Sequence, residues 1–85
     1  MTYEDSEIQE GTFIRTFDAE ADPVDLKWHR DRMNRRISVI ENDGWQLQLE
    51  NQLPTPLTEN AVVNAGQWHR LIKGRGRLVV RIVEY

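Results

Sequence analysis

Between Trp45 and Glu50, apolar and polar residues alternate without a break as W45-Q46-L47-Q48-L49-E50. A period of two is that of an extended strand with one dry face and one wet face. It puts Trp45, Leu47 and Leu49 on one side of a β-strand. No segment carries a convincing period of 3.6, and D31 to R36 is the only candidate for a helical turn. T12 to F17, V24 to W28, I37 to I40, A61 to V63, W68 to K73 and L78 to V83 read as further extended runs. Turn formers separate them. D18 to P23 is a loop in which Pro23 restricts Asp22 to extended geometry. Asp43-Gly44 is a hairpin signal, N51 to T58 holds Pro54 and Pro56 and reads as loop, N64-A65-G66 is a turn, and G74-R75-G76 predicts the last hairpin. Short strands at this spacing predict an all-β sandwich or barrel, and closure removes exposed strand edges.

The chain has 85 residues, which suits one domain near the lower limit for a self-sufficient core. Residues 12–85 form the predicted barrel. Residues 1–11 are polar and acidic and read as an N-terminal arm or tail. There is no cysteine, so there is neither a disulfide framework nor a thiolate metal site, as fits a reducing, cytoplasmic setting. The formal charge of −3 argues against non-specific nucleic-acid binding. No apolar run approaches the ~20 residues of a membrane span, and the N-terminus lacks the apolar stretch of a signal peptide. Charge is nevertheless uneven: an acidic first quarter is followed by Lys27, Arg30, Arg32, Arg35 and Arg36. The ordinary reading of such a run is a solvated surface.

Both histidines of the chain lie in similar surroundings, W28-H29-R30-D31 and A65-G66-Q67-W68-H69. Two imidazoles and a carboxylate suffice to hold a divalent first-row metal on one face and leave the other open. His29, Asp31 and His69 are the candidate ligands, provided the fold brings them together.

These residues resemble the two motifs of the cupin family. The first motif runs histidine, any residue, histidine, then a glutamate and, six residues on, a glycine. His29 matches its first histidine, Asp31 stands at the second, Arg35 at the glutamate and Asn42 at the glycine, where Asn tolerates a left-handed backbone. In the second motif Gly66 and His69 match, whereas Thr58 replaces a glycine, Asn64 a proline and Lys73 an asparagine. The chain is also similar to short phage and bacterial cupin-like proteins of unknown function. The resemblance spans residues 13–83 and implies a small, jelly-roll type double-stranded β-helix with a divalent metal (Fe, Mn, Ni or Zn) in the barrel.

Arg35 is the significant departure, because a guanidinium cannot ligate a metal. Strand alternation from His29 through Arg35, and from His69 to Lys73, directs all of these side chains into one pocket. Three arrangements remain open. Arg35 and Lys73 can recognise a small anionic ligand beside a metal. Alternatively, Arg35 forks onto Asp31 and leaves a metal-free anion cradle. In the third, the polar groups satisfy one another and the barrel serves assembly. Trp28 and Trp68 each precede a candidate ligand and so face outward, which predicts a homodimer. No nucleophile motif or phosphate loop points to a particular reaction, so catalytic residues are not assigned.

Overall fold

The computed structural model describes residues 3–20 and 24–85. It contains eight strands: β1 (Glu4–Gln9), β2 (Thr12–Phe17), β3 (Arg35–Asn42), β4 (Gln46–Leu49), β5 (Thr55–Pro56), β6 (Asn60–Val63), β7 (His69–Ile72) and β8 (Leu78–Glu84). They form two antiparallel sheets, one ordered β1-β2-β8-β3-β6 and the other β5-β4-β7. Among the described residues no helix is long and apolar enough to cross a membrane.

The all-β expectation holds, and most of the predicted strands form. β8 is the spine of the larger sheet, paired with β2 on one side and β3 on the other. Its Leu78, Val80 and Ile82 are buried and Arg81 is exposed. These three meet Phe17, Ile37 and Val63 of the same sheet, and Trp45, Leu47 and Leu57 from the smaller one, in a single core. Trp45 and Leu47 thus occupy the dry face that the alternation assigned to them. The polar N-terminal segment supplies β1, an exposed edge strand hydrogen-bonded along β2.

Several local expectations are corrected. Asp43-Gly44 does not close a hairpin ladder. β3 pairs with β6 and β8, and β4 with β5 and β7, so residues 43–44 form a corner that carries the chain from one sheet to the other. Gly74–Gly76 is likewise the corner by which β7 of the smaller sheet leads to β8 of the larger. Asn42 keeps an extended strand backbone. Its side chain accepts from the Trp45 N–H at 2.8 Å and donates to the Leu57 carbonyl at 2.7 Å, while Gly44 adopts the positive φ of +85°. Thr55–Pro56 is a two-residue edge strand within the predicted loop, where proline's missing donor is harmless. Val24–Leu26 is a 3-10 turn and not extended. Residues 31–34 bend without forming a helical turn. The expected geometry of Asp22 before Pro23 lies outside the described residues.

The two corners pack on each other. The Arg75 N–H donates to the Asp43 carbonyl at 2.9 Å, and Trp45 Nε1–H to the Gly76 carbonyl at 2.8 Å. A Cβ on Gly74 would fall on the Asp43 carbonyl oxygen and the Trp45 amide, both backbone atoms that cannot rotate away. Gly74→Ala should therefore cost about 2–3 kcal/mol by overpacking. Gly66→Ala, where φ is +78° but no atom lies within 4 Å, should cost only about 1–2 kcal/mol. Urea denaturation of the two variants measures the difference, and equal midpoints would contradict it.

Candidate metal centre

His29 does not lie in a long strand with Asp31 and Arg35. It makes one isolated antiparallel bridge to His69, at the end of β7. The His29 N–H donates to the His69 carbonyl at 3.0 Å and the His69 N–H to the His29 carbonyl at 2.8 Å. This reciprocal pair brings the two rings to 4.2 Å between centroids. The chain then bends through residues 30–34 and re-enters a strand at Arg35, in the other sheet. A turn from the second motif holds that bend. The Gly66 N–H donates to the Asp31 carbonyl at 2.9 Å, and the Ala65 N–H to Asn34 Oδ1 at 2.8 Å. Gly66 at φ +78° makes the turn feasible.

The result is a compact donor set. One nitrogen from each of His29 and His69 and one oxygen of Asp31 all lie within 4.8 Å of one another. Both rings are oriented from behind in the same way. His29 Nδ1–H donates to the Lys27 carbonyl and His69 Nδ1–H to the Gln67 carbonyl, each at 2.8 Å. A carbonyl can only accept, so Nδ1 carries the proton in both rings and each Nε2 of the neutral ring presents its lone pair. His69 Nε2 is 3.2 Å from Asp31 Oδ2, a buried oxygen without a hydrogen-bond donor. Burial pushes the His69 imidazole below its ordinary value, and His29 and Arg35 act in the same direction. The Gln67 carbonyl and Asp31 oppose them without reversing the shift. The shift favours the neutral ring, the state a metal ligand requires.

Arg35 lines the same cavity as His29 and His69. Its Nε and Nη2 both approach Glu84 Oε2 at 3.0 Å, whereas its Nε stays 3.6 Å from Asp31 Oδ2, too far for a hydrogen bond. The fork of Arg35 onto Asp31, one of the three arrangements left open above, is not formed as a hydrogen-bonded pair, and the two groups stand as an ion pair at 3.6 Å. Arg35 sits opposite Glu84 in the β3–β8 register, and that neighbour captures it. Lys73 is not brought to the cavity. β7 ends at Ile72, so alternation stops before position 73, and Lys73 is exposed just ahead of the Gly74 corner. Trp28 and Trp68 are, as expected, partly exposed on the outer face, at 43% and 39%. Arg70 lies over Trp28 at 5.0 Å and Arg30 over Trp68 at 5.1 Å.

Two charged residues of the cavity wall were not foreseen as site residues. Arg15 alternates with Phe13 and Phe17 along β2, so F13-x-R15-x-F17 already placed a cation on the dry face. Asp25 comes from the 3-10 turn, and no periodicity signals it. The cavity, partly open to solvent, measures about 30 Å³, enough for an ion or a water molecule and too small for a sugar.

No protein-family model and no curated protein matches the chain. Solved structures do resemble it. A protein from Neisseria meningitidis superposes with a TM-score of 0.66 at 18% identity, covering 98% of this chain and 82% of that one. A cupin-2 domain-containing protein from Shewanella frigidimarina gives 0.62 at 16% identity, covering 96% of this chain and 78% of the other. A cupin domain from Bordetella pertussis gives 0.64 at 16% identity, with 98% and 91% covered.

The pH dependence of stability in metal-free protein follows from His69. A histidine whose folded-state pKa is lowered takes up protons more readily when unfolded, so stability falls as pH drops from about 7 through the ordinary histidine value of 6.5. In the presence of a chelator, the melting temperature of the wild type should fall more between pH 7 and pH 5 than that of His69→Gln. Equal slopes would refute this.

The reciprocal pairing of two histidine-bearing segments, the two-sheet topology and these superpositions agree: the chain has the cupin fold, as a small, nearly all-β cupin-like domain.

Proposed function

We propose that this domain binds a small anionic ligand beside a divalent cation held by His29, Asp31 and His69. The observation that carries the reading is the pairing of His69 Nε2 with Asp31 Oδ2 at 3.2 Å. Each is an acceptor, and the carboxylate oxygen is buried without a donor. With His69 neutral the two acceptors face each other without a donor, an arrangement that either a metal ion or a proton on Nε2 would relieve, and an orphaned buried oxygen is costly. The residues present thus fit a metal, with Fe, Mn, Ni and Zn all suited to imidazole and carboxylate donors. A bound ion would supply Lewis acidity at its open positions. The hydrogen bonding of Arg35 to Glu84 favours this reading over the metal-free cradle, because Asp31 has an Arg35 ion pair at 3.6 Å but no hydrogen-bond donor on its buried Oδ2.

Arg35 supplies the anion preference, since its guanidinium lines the cavity beside the histidines. The small volume of the cavity directs the ligand to the mouth, with only a carboxylate or phosphate group reaching inward. The reading includes a homodimer in the cytoplasm, with the Trp28–Trp68 face covered by the second subunit. Light scattering at micromolar concentration should return twice the chain mass, and a monomer there would remove the dimer from the proposal.

For the metal, titration of chelator-treated, tag-free protein with Co²⁺ should give stoichiometric binding. His69→Ala should weaken it at least about 100-fold, since even groups that only orient a ligand are worth roughly 10–100-fold. Unchanged binding in His69→Ala would overturn the site. Arg35→Gln should reduce the thermal shift produced by small carboxylates and phosphates and leave Co²⁺ binding in place.

A further inference from the structure

The family-type carboxylate position is occupied by Arg35, which leaves a three-donor set. Asp25 also approaches His29. It is 9% exposed, lines the same cavity, and places Oδ1 3.7 Å from His29 Nε2. That separation exceeds a hydrogen bond, and His29 Nε2 carries no proton in the neutral ring because Nδ1 is bound to the Lys27 carbonyl. Asp25 Oδ2 is buried and has no hydrogen-bond donor. Arg15 Nη1 is 3.7 Å from that oxygen, but Arg15 is committed to Asp5 through two bonds of 2.7 and 2.9 Å.

The arrangement around Asp25 and His29 repeats the one around Asp31 and His69. In each, Nδ1 is fixed by the carbonyl two residues earlier and Nε2 faces a carboxylate; the orphaned oxygen is the one facing His69 in Asp31, and in Asp25 the one beside it, Oδ2, with Oδ1 facing His29. Behind each carboxylate stands an arginine held by another acid, Arg15 by Asp5 and Arg35 by Glu84. The four carboxylates against two guanidiniums leave a charge of −2 in this one assembly. Asp5 and Glu84 are partly exposed to solvent, so the charges that a divalent ion would balance are those of the more buried Asp25 and Asp31. Ligand atoms about 2.0–2.2 Å from a shared ion are separated by roughly 3–3.6 Å when adjacent. The 3.2 Å gap at His69–Asp31 lies in that range, and the 3.7 Å gap at His29–Asp25 just beyond it.

We infer that Asp25 is a fourth, anionic donor to the metal centre, making a two-histidine, two-carboxylate site in which a 3-10 turn supplies what Arg35 cannot. The inference rests on the metal reading above. Asp25 lies outside the donor set spanning 4.8 Å, so its side chain must move to join an ion held there.

The test is Co²⁺ titration of full-length Asp25→Asn, Asp25→Cys and His69→Ala, followed by absorption spectroscopy. Asp25→Asn should lower Co²⁺ affinity at least about tenfold and alter the ligand-field bands. Asp25→Cys should introduce a thiolate-to-cobalt charge-transfer band, which arises only when sulfur bonds the ion. If Asp25→Asn does not fold, the Asp25→Cys band decides alone. Wild-type bands in Asp25→Asn, or no charge-transfer band in a Co²⁺-loaded Asp25→Cys, would overturn the fourth donor whether or not affinity falls. With His69→Ala still abolishing binding, the three-residue site would survive that result. Retained binding in His69→Ala would instead remove the site and this inference with it.

Discussion

Two backbone hydrogen bonds between His29 and His69 hold the candidate site together. They join a segment that belongs to no strand to the first residue of β7, and they fix the histidines as direct cross-strand partners. Side chains of directly paired residues share a face, so both imidazoles enter the interior together. Their neighbours must then point outward, which is why Trp28 lies against Arg70 and Trp68 against Arg30. A single pairing therefore determines an inner polar cluster and an outer aromatic one. The Asn64–Gln67 turn completes the arrangement by holding the Asp31 backbone beside them.

The interior is electrostatically unusual for so small a domain. Arg15 and Arg35 line one cavity together with Asp25, His29, His69 and apolar residues such as Phe17 and Val80. Each guanidinium is satisfied by one close carboxylate and stands only near a second. Arginine stays charged in a protein interior, so its position is set by which acid reaches it with good geometry. Asp5 does so from across the β1–β2 ladder, and Glu84 from directly opposite Arg35 on β8. The acids nearest the histidines are left with open oxygens. The distribution of ion pairs and the availability of metal ligands are thus one problem, resolved by strand register.

Strand content was legible because burial on one face imposes a period of two, as Trp45 and Leu47 show. Sheet membership was not. Asp43-Gly44 and Gly74–Gly76 look like hairpin turns because glycine beside a polar residue serves any sharp reversal. Nothing local distinguishes a turn back onto the same sheet from a corner onto the facing one. That choice is made by the contact between the two corners, roughly thirty residues apart, through Trp45 Nε1 and the Gly76 carbonyl. Asn42 illustrates the same limit. Its residue type suggested a left-handed backbone, but its side chain ties the corner and leaves the positive φ to Gly44.

For the site, residue chemistry nominated His29, Asp31 and His69, and alternation of residue types was sufficient to indicate an all-β chain, although only His69 of the three lies in a strand. These are local properties, set by side-chain polarity along an extended backbone. Tertiary structure alone decided that Arg35 faces Glu84, that Lys73 falls beyond the end of β7, and that Asp25 enters the cavity from a 3-10 turn. Each of those outcomes depends on where a strand stops or which residue lies across from it. Register and strand ends are set by the packing of the whole barrel, so no window of neighbouring residues contains them.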